Sequence, residues 1–276
     1  MKKERYFRHE LERMFIAYAI VPAVVFTLVC GLLFMTVLLH GKKSGNIEHS
    51  RYVAGLLDNV LARYEDGVEE MASQPGLLDR VRDQDGKAEL SGIFYGITNS
   101  LGLEGDLFVM DSSRSILLSS RSDLPPFLDV PEGVSWGIFD DMDREPNRTA
   151  LKLAEGWKNG GSTIVIGRSV MDGNKKQGYI LCSIPSSQFK ALVDKPDIQT
   201  IIADPFGWAY VSSNYSFLNS SNQVMKVLME SGRYLSQKKQ MYLVSRQRVS
   251  RGGFAVYSIS DIQNIVTVSY THLRAH

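Results

Sequence analysis

Leu107-Phe-Val-Met-Asp111-Ser-Ser-Arg-Ser-Ile-Leu-Leu-Ser119-Ser120 aligns without a gap on Thr200-Ile-Ile-Ala-Asp204-Pro-Phe-Gly-Trp-Ala-Tyr-Val-Ser212-Ser213, at an offset of 93 residues. Each copy reads as an apolar strand, a turn opened by an aspartate able to hydrogen-bond its own backbone, and a second apolar strand closing on Ser-Ser. The expectation is one hairpin used twice, with Asp111 and Asp204 as structural turn residues. A second strand pair follows each hairpin. The first runs Thr163 to Val170, turns at Asp172-Gly173-Asn174, and returns from Gly178 to Ile184. The second runs Met241 to Val249, turns at Arg251-Gly252-Gly253, and returns from Phe254 to Ile259. Glycine in both turns supplies the positive φ that such hairpins require. The pattern predicts two similar α+β modules, each on an antiparallel sheet, joined near Val193-Asp-Lys-Pro-Asp197.

Upstream, apolar residues recur at Ile47, Val53, Leu56, Leu57, Val60, Leu61, Tyr64, Val68 and Met71 with charged residues between them. That spacing predicts a long amphipathic helix, stopped at Gln74-Pro75-Gly76 because proline disfavours helix at its own position and the one before. Its stripe can serve as a packing face or as a dimer seam. Met14 to Leu39 carries no charged residue, and ~20 apolar residues suffice to cross the hydrocarbon core. The run is too long for the apolar region of a signal peptide, and Leu38-Leu39-His40-Gly41 offers no small-residue cleavage site. Lys2, Lys3, Arg5, Arg8 and Arg13 precede the run, whereas only Lys42 and Lys43 follow it closely. Since the more basic flank stays in the cytoplasm, residues 1–13 are expected inside and 40–265 outside.

The bulk properties exclude some classes. A net charge of +1 gives no basic footprint for nucleic acid. The two cysteines, Cys30 in the apolar run and Cys182 in a strand, are not expected to form a disulfide.

A basic stub, one span, a long helix and two modules with an Asp turn in the first hairpin, together with the strand Gly178-Tyr-Ile-Leu-Cys-Ser-Ile184, resemble the double Cache sensor family. The resemblance covers roughly residues 40 to 265 and implies a PAS-like fold for both modules. It also implies a membrane-distal module over 75–193 and a membrane-proximal one over 194–265, after a span at 14–39 and a stalk at 40–74. Members of this kind belong to histidine kinases, chemotaxis receptors or cyclic-dinucleotide enzymes. A two-component sensor histidine kinase is the expected parent, with a chemoreceptor or diguanylate cyclase as the alternative. The implied partners are a small-molecule ligand or ligand-loaded binding protein, the membrane, a second copy in a homodimer, and a response regulator reached through an output domain. The last residues, Ser269-Tyr-Thr-His-Leu-Arg-Ala-His276, resemble a translated transposon-end sequencing adapter. Residues 266–276 are therefore expected to be an artefact, with the natural gene continuing beyond about Val266.

The chemistry of catalysis is sparse. Between His49 and the terminal stretch there is no histidine, so neither a histidine-based triad nor a His-ligated zinc site can be built there. No phosphate loop of the form GxxxxGK[ST] occurs. The acidic run Asp140-Asp141-Met142-Asp143-Arg144-Glu145 lacks EF-hand spacing and reads as a solvated loop. No catalytic residue, metal or cofactor is expected, and ligand recognition is the activity left. A membrane-anchored extracytoplasmic enzyme is the rival reading; it would need a cluster of carboxylates.

By the resemblance, the first module carries the ligand pocket, with Trp136, Phe139, Arg168, Tyr179 and Ser183 as candidate residues. Amino-acid-binding members carry an aspartate five residues after the strand glycine, to hold the ligand's ammonium group. Here that position is Ser183, and the Arg-x-Trp-aromatic pattern on the preceding helix is missing. An amino-acid ligand is therefore disfavoured.

Overall fold

The structure is a computed structural model, and it describes residues 2–83, 85–102, 104–122, 128, 137–155, 161–231, 234–237, 240–263 and 265. The adapter-like stretch, residues 266–276, lies outside them. Helix α1 (Lys2–Phe15) passes through one π turn, Ile16–Ile20, into α2 (Val21–Ala72), a single helix of 52 residues. The π turn sits against Pro22. A proline has no N–H to give and its ring crowds the carbonyl four residues back, so a local widening of the helix relieves both problems. This is the one helix among the described residues long and apolar enough to cross a membrane, by length and composition. Its side chains meet no protein there: Phe26 is 71% exposed and Leu32 61%.

The helix ends at Ala72, and Gly76 takes the left-handed conformation (φ +62°) before α3 (Leu77–Arg82) and α4 (Asp85–Leu101). The first sheet follows: β1 (Asp106–Asp111), β2 (Ile116–Ser119), α5 (Ile138–Arg144), β3 (Ala150–Glu155), β4 (Ser162–Asp172) and β5 (Lys175–Pro185). A short helix, α6 (Lys190–Val193), leads to the second: β6 (Asp194–Lys195), β7 (Ile198–Ala203), β8 (Ala209–Ser212), α7 (Lys226–Ser231), β9 (Tyr234–Gln237), β10 (Gln240–Arg248) and β11 (Ala255–Asp261). All strand pairs are antiparallel. The first sheet runs β2-β1-β5-β4-β3, and the second β8-β7-β11-β10-β9 with β6 as an extra strand on β7. The two orders are the same. The fold is α+β, as expected.

The hairpins share a set of matching bonds. Asp111 Oδ1 accepts from Ser113 N (2.9 Å) and Ser115 N (2.9 Å), and Asp204 Oδ1 accepts from Phe206 N (2.9 Å) and Trp208 N (2.8 Å). Leu107 N donates to Ser120 Oγ (2.8 Å) and Thr200 N to Ser213 Oγ (2.7 Å). Ser119 and Ser212 each donate to the carbonyl two residues on. The turn residue with positive φ is Arg114 (+68°) in one and Gly207 (+88°) in the other. The surroundings differ. Hydrogen bonds from Ser113 and Ser115 hold the exposed Asp111 carboxyl below its usual range, whereas burial pushes Asp204 above it.

Strand alternation gives each sheet two faces. One face of both sheets packs on α2, in a continuous apolar core that takes Val53, Leu57, Val60, Leu61, Tyr64, Val68 and Met71 from the helix. The first sheet adds Ile164, Ile166, Ile180 and Cys182, and the second adds Ile202 and Val256. The stripe is thus a packing face. Ile47, at its predicted start, is instead 36% exposed. The opposite faces carry separate clusters, Phe108, Met110, Val165, Tyr179 and Leu181 in the first sheet and Ile201, Val244, Tyr257 and Ile259 in the second.

Polar contacts tie the pieces together. Tyr210 OH donates to Ile184 O (2.9 Å) and Ser162 Oγ to Ala209 O (3.0 Å), bonding β8 to the first sheet. Arg251, in the β10–β11 turn, reaches α2 through Glu65 Oε2 (2.9 Å) and Asp58 Oδ2 (3.2 Å). Cys30 and Cys182 are free.

One buried group is out of balance. The Tyr64 hydroxyl is fully buried without a hydrogen-bond partner among the described residues, and such a group costs about 1–3 kcal/mol in desolvation. Tyr64→Phe is expected to raise the melting temperature of residues 44–265. A lower melting point would mean that the hydroxyl has a partner.

Candidate functional site

The outer face of the first sheet brings two of the candidate residues into contact. Phe139, 5% exposed on α5, and Tyr179, fully buried on β5, meet edge to face with centroids 5.1 Å apart. Helix α5 lies over this face because Ile138, Phe139 and Met142 occupy one side of it and pack on Phe108, Met110, Val165 and Leu181. Ser169 Oγ donates to Met142 O (2.9 Å) and pins the helix to β4.

Sequence reasoning missed the polar groups around Tyr179. Its hydroxyl donates to Asp143 Oδ1 (2.7 Å), and Lys176 Nζ donates to Asp143 Oδ1 and to Tyr179 OH (2.6 Å). Lys176 Nζ also lies 4.8 Å from the centre of the Tyr179 ring. The Arg114 guanidinium stands 4.5 Å over the Phe139 ring and 3.8 Å from Asp143 Oδ2. Burial works to raise the Asp143 carboxyl, but hydrogen bonds from Lys176 and Tyr179 outweigh it and hold the group below its usual range. Burial likewise opposes the charge on Lys176, but the hydrogen bonds to Asp143 and Tyr179 together with their charges outweigh it, so the ammonium is held above its ordinary value. The acidic run 140–145 is therefore not a loop: residues 138–144 form α5, whose Asp140, Asp143 and Arg144 are exposed, and the Asp143 carboxylate bonds Lys176 and Tyr179. The i, i+4 pair of apolar residues at Ile138 and Met142 was the available signal.

Ser183 is on the same face, fully buried at its far end. Its hydroxyl donates to Asp106 Oδ2 (3.2 Å), its register partner on β1, which also receives Arg121 NH1 (3.2 Å). A carboxylate thus stands beside the position where the sequence has serine, supplied from the neighbouring strand.

Arg168 requires a correction. It shares the α2 face of β4 with Ile166 and Val170, away from Phe139 and Tyr179, and its guanidinium pairs with Glu69 Oε1 at 2.8 Å. The cause is a bulge in β5, where Gln177 is the extra residue opposite Val170 and Met171. Without it, a hairpin closed at Asp172↔Lys175 would set Arg168 opposite Tyr179; with it, the partner is Ile180. Trp136 lies outside the described residues. Asp111 and Asp204 sit in the hairpin turns described above.

Two open clefts lie elsewhere among the described residues. One of about 560 Å³ at the junction of the sheets is lined by Ser186, Ser187, Lys190, Tyr215 and Asn222. Another, of about 610 Å³, is lined by Glu65, Glu69, Arg144, Arg148, Arg168 and Arg251. No group of three or more His, Cys, Asp or Glu suited to a metal ion occurs among the described residues.

No family model matches the chain, and no curated protein matches it. Solved structures do. The ligand-binding domain of the Campylobacter jejuni chemoreceptor Tlp3, in complex with L-norvaline, superposes with a TM-score of 0.58 at 12% identity, covering 83% of this chain and 94% of that one. The sensor domain of the Vibrio cholerae histidine kinase DctB gives 0.55 at 11% identity, over 82% and 98%. The ligand-binding domain of the Pseudomonas fluorescens chemoreceptor CtaA, in complex with L-serine, gives 0.55 at 10% identity, over 80% and 98%. At these identities the likeness establishes the fold, which is that of sensory ligand-binding domains.

Proposed function

We propose that this chain is the extracytoplasmic, ligand-sensing input region of a transmembrane receptor of the double Cache kind, anchored by the apolar part of α2 with residues 1–13 in the cytoplasm. The observation that carries this reading is the continuity of one helix through the apolar span and along both sheets. A change in either sheet is thereby coupled to the membrane without a flexible joint. The module over 75–193 binds a small molecule on the face of Phe139 and Tyr179, with Asp143, Lys176 and Arg114 at one end and Asp106, Arg121 and Ser183 at the other. Ligand binding shifts this module between two arrangements, which requires different affinities for the two.

The output belongs to a histidine kinase that signals to a response regulator, or alternatively to a chemoreceptor or diguanylate cyclase; the region works as a homodimer. The residues between 50 and 265 are not an enzyme on this reading, since they hold no histidine and the carboxylates of the site are paired with cations.

Thermal-shift screening of residues 44–265 against small metabolites tests it. A ligand present at 100 times its Kd stabilises by about 2.7 kcal/mol, and Tyr179→Ala with Asp143→Ala is expected to erase that shift. A hit whose shift survives both substitutions would move the site to another cleft. Catalytic turnover by the same fragment, lost on replacing one Asp or Glu, would favour the enzyme instead.

A further inference from the structure

The stripe of α2 does not begin apolar. Below Val53, the positions facing the second sheet are Asn46, His49 and Ser50, all buried. The strands answer with Thr200 on β7, Ser245 on β10, and Ser258 and Ser260 on β11, also buried. Ser260 Oγ donates to Asn46 Oδ1 (2.6 Å), Asn46 Nδ2 donates to Leu243 O (2.9 Å), and His49 Nε2 lies 3.0 Å from Thr200 Oγ1. The Ser258 hydroxyl, in register with Thr200, has no partner among the described residues. The layer sits where the helix first meets the sheets after the apolar span.

We propose that His49 is a proton-operated catch: neutral, it holds α2 against the second sheet, and on taking up one proton it releases this contact. The surroundings supply the reason. From β7, β10 and β11 the groups facing the imidazole are hydroxyls and backbone, and the one charged side chain acting on it from β6 is a cation, Lys195. On α2 itself Glu48 and Arg51 are exposed. An imidazolium here is desolvated with no carboxylate to meet it among the described residues. Burial, and then Lys195, lower the affinity of His49 for the proton below its ordinary value near 6.5.

The sign follows from linkage. The released state binds the proton more tightly, so the contact is fully stable above pH 6.5 and loses stability as pH falls from there through the lower value of the packed state. The device is separate from the ligand face of the first module, and its test needs no ligand.

Hydrogen–deuterium exchange on the full chain in lipid nanodiscs, corrected for the intrinsic pH dependence of exchange, reads the contact directly. Protection of residues 46–50 and 255–261 is expected to fall by up to roughly tenfold per pH unit below 6.5, while residues 162–185 keep theirs. His49→Gln, which retains a donor and an acceptor but no titration, is expected to remove the dependence. Protection independent of pH in the unmodified chain, or an equal fall in His49→Gln, overturns the proposal. Titration of His49 by NMR needs no variant: a midpoint below 6.5 supports the catch, and one at or above 6.5 overturns it.

Discussion

Gly178→Val is expected to cost the first sheet about 4 kcal/mol or more, which places it among the rare substitutions that remove most of a domain's stability. Gly178 opposes Asp111 where β5 runs beside β1. A Cβ built there lies 2.0 Å from Met110 O, 2.8 Å from Leu78 Cδ1 and 3.1 Å from Asp111 Cα. Two of those three atoms are backbone, which cannot swing away, so the central strands must part or the register must slip. Gly92 in α4 is the internal comparison. Nothing lies within 4 Å of its Cβ position, and Gly92→Ala is expected to stabilise by up to about 1 kcal/mol through helix propensity. Urea denaturation of residues 44–265 measures both; a Gly178→Val protein as stable as its parent would show that Gly178 does not face Met110 at this distance.

Asn46→Ala is expected to destabilise the second sheet by about 2–3 kcal/mol, lowering its melting point by about 6 °C. The loss is large because the substitution strands groups it does not delete. Leu243 O loses its side-chain donor and Ser260 Oγ its shortest acceptor, keeping only Asp197 O at 3.3 Å. Differential scanning calorimetry of the same fragment checks it, and the prediction fails if the midpoint moves by less than about 2 °C.

These sites also show what could be read from the sequence. The twin hairpins were legible because an Asp turn is local chemistry: the carboxylate captures amides two and four residues ahead, whatever surrounds it. Phe139 and Tyr179 were legible as large side chains beside strands with a clear pattern. Arg168 was not, because whether it shares a side with Tyr179 depends on one extra residue in β5, Gln177, and such a bulge shifts the register between strands without leaving a mark in hydrophobicity. Asn46, His49 and Ser50 were hidden for a related reason. They continue the helical spacing of Val53 and Leu57, but hydrophobic periodicity finds only the positions where the buried face is apolar. Asp143 was passed over because a run of charges reads as solvent-exposed, and nothing local marks the one that stays exposed yet bonds Tyr179 and Lys176.

At 1.5 Å per residue α2 is about 78 Å long, and both sheets rest on it directly. In mechanical terms the two modules are fastened in parallel to one rod rather than linked in series. Neither can repack the face it presents to α2 without either dragging the rod or tearing loose from it. On the proposed reading, a push from the first sheet would reach the bilayer undiminished only while the second sheet let the rod slide, and the second sheet would then act as a brake on the first.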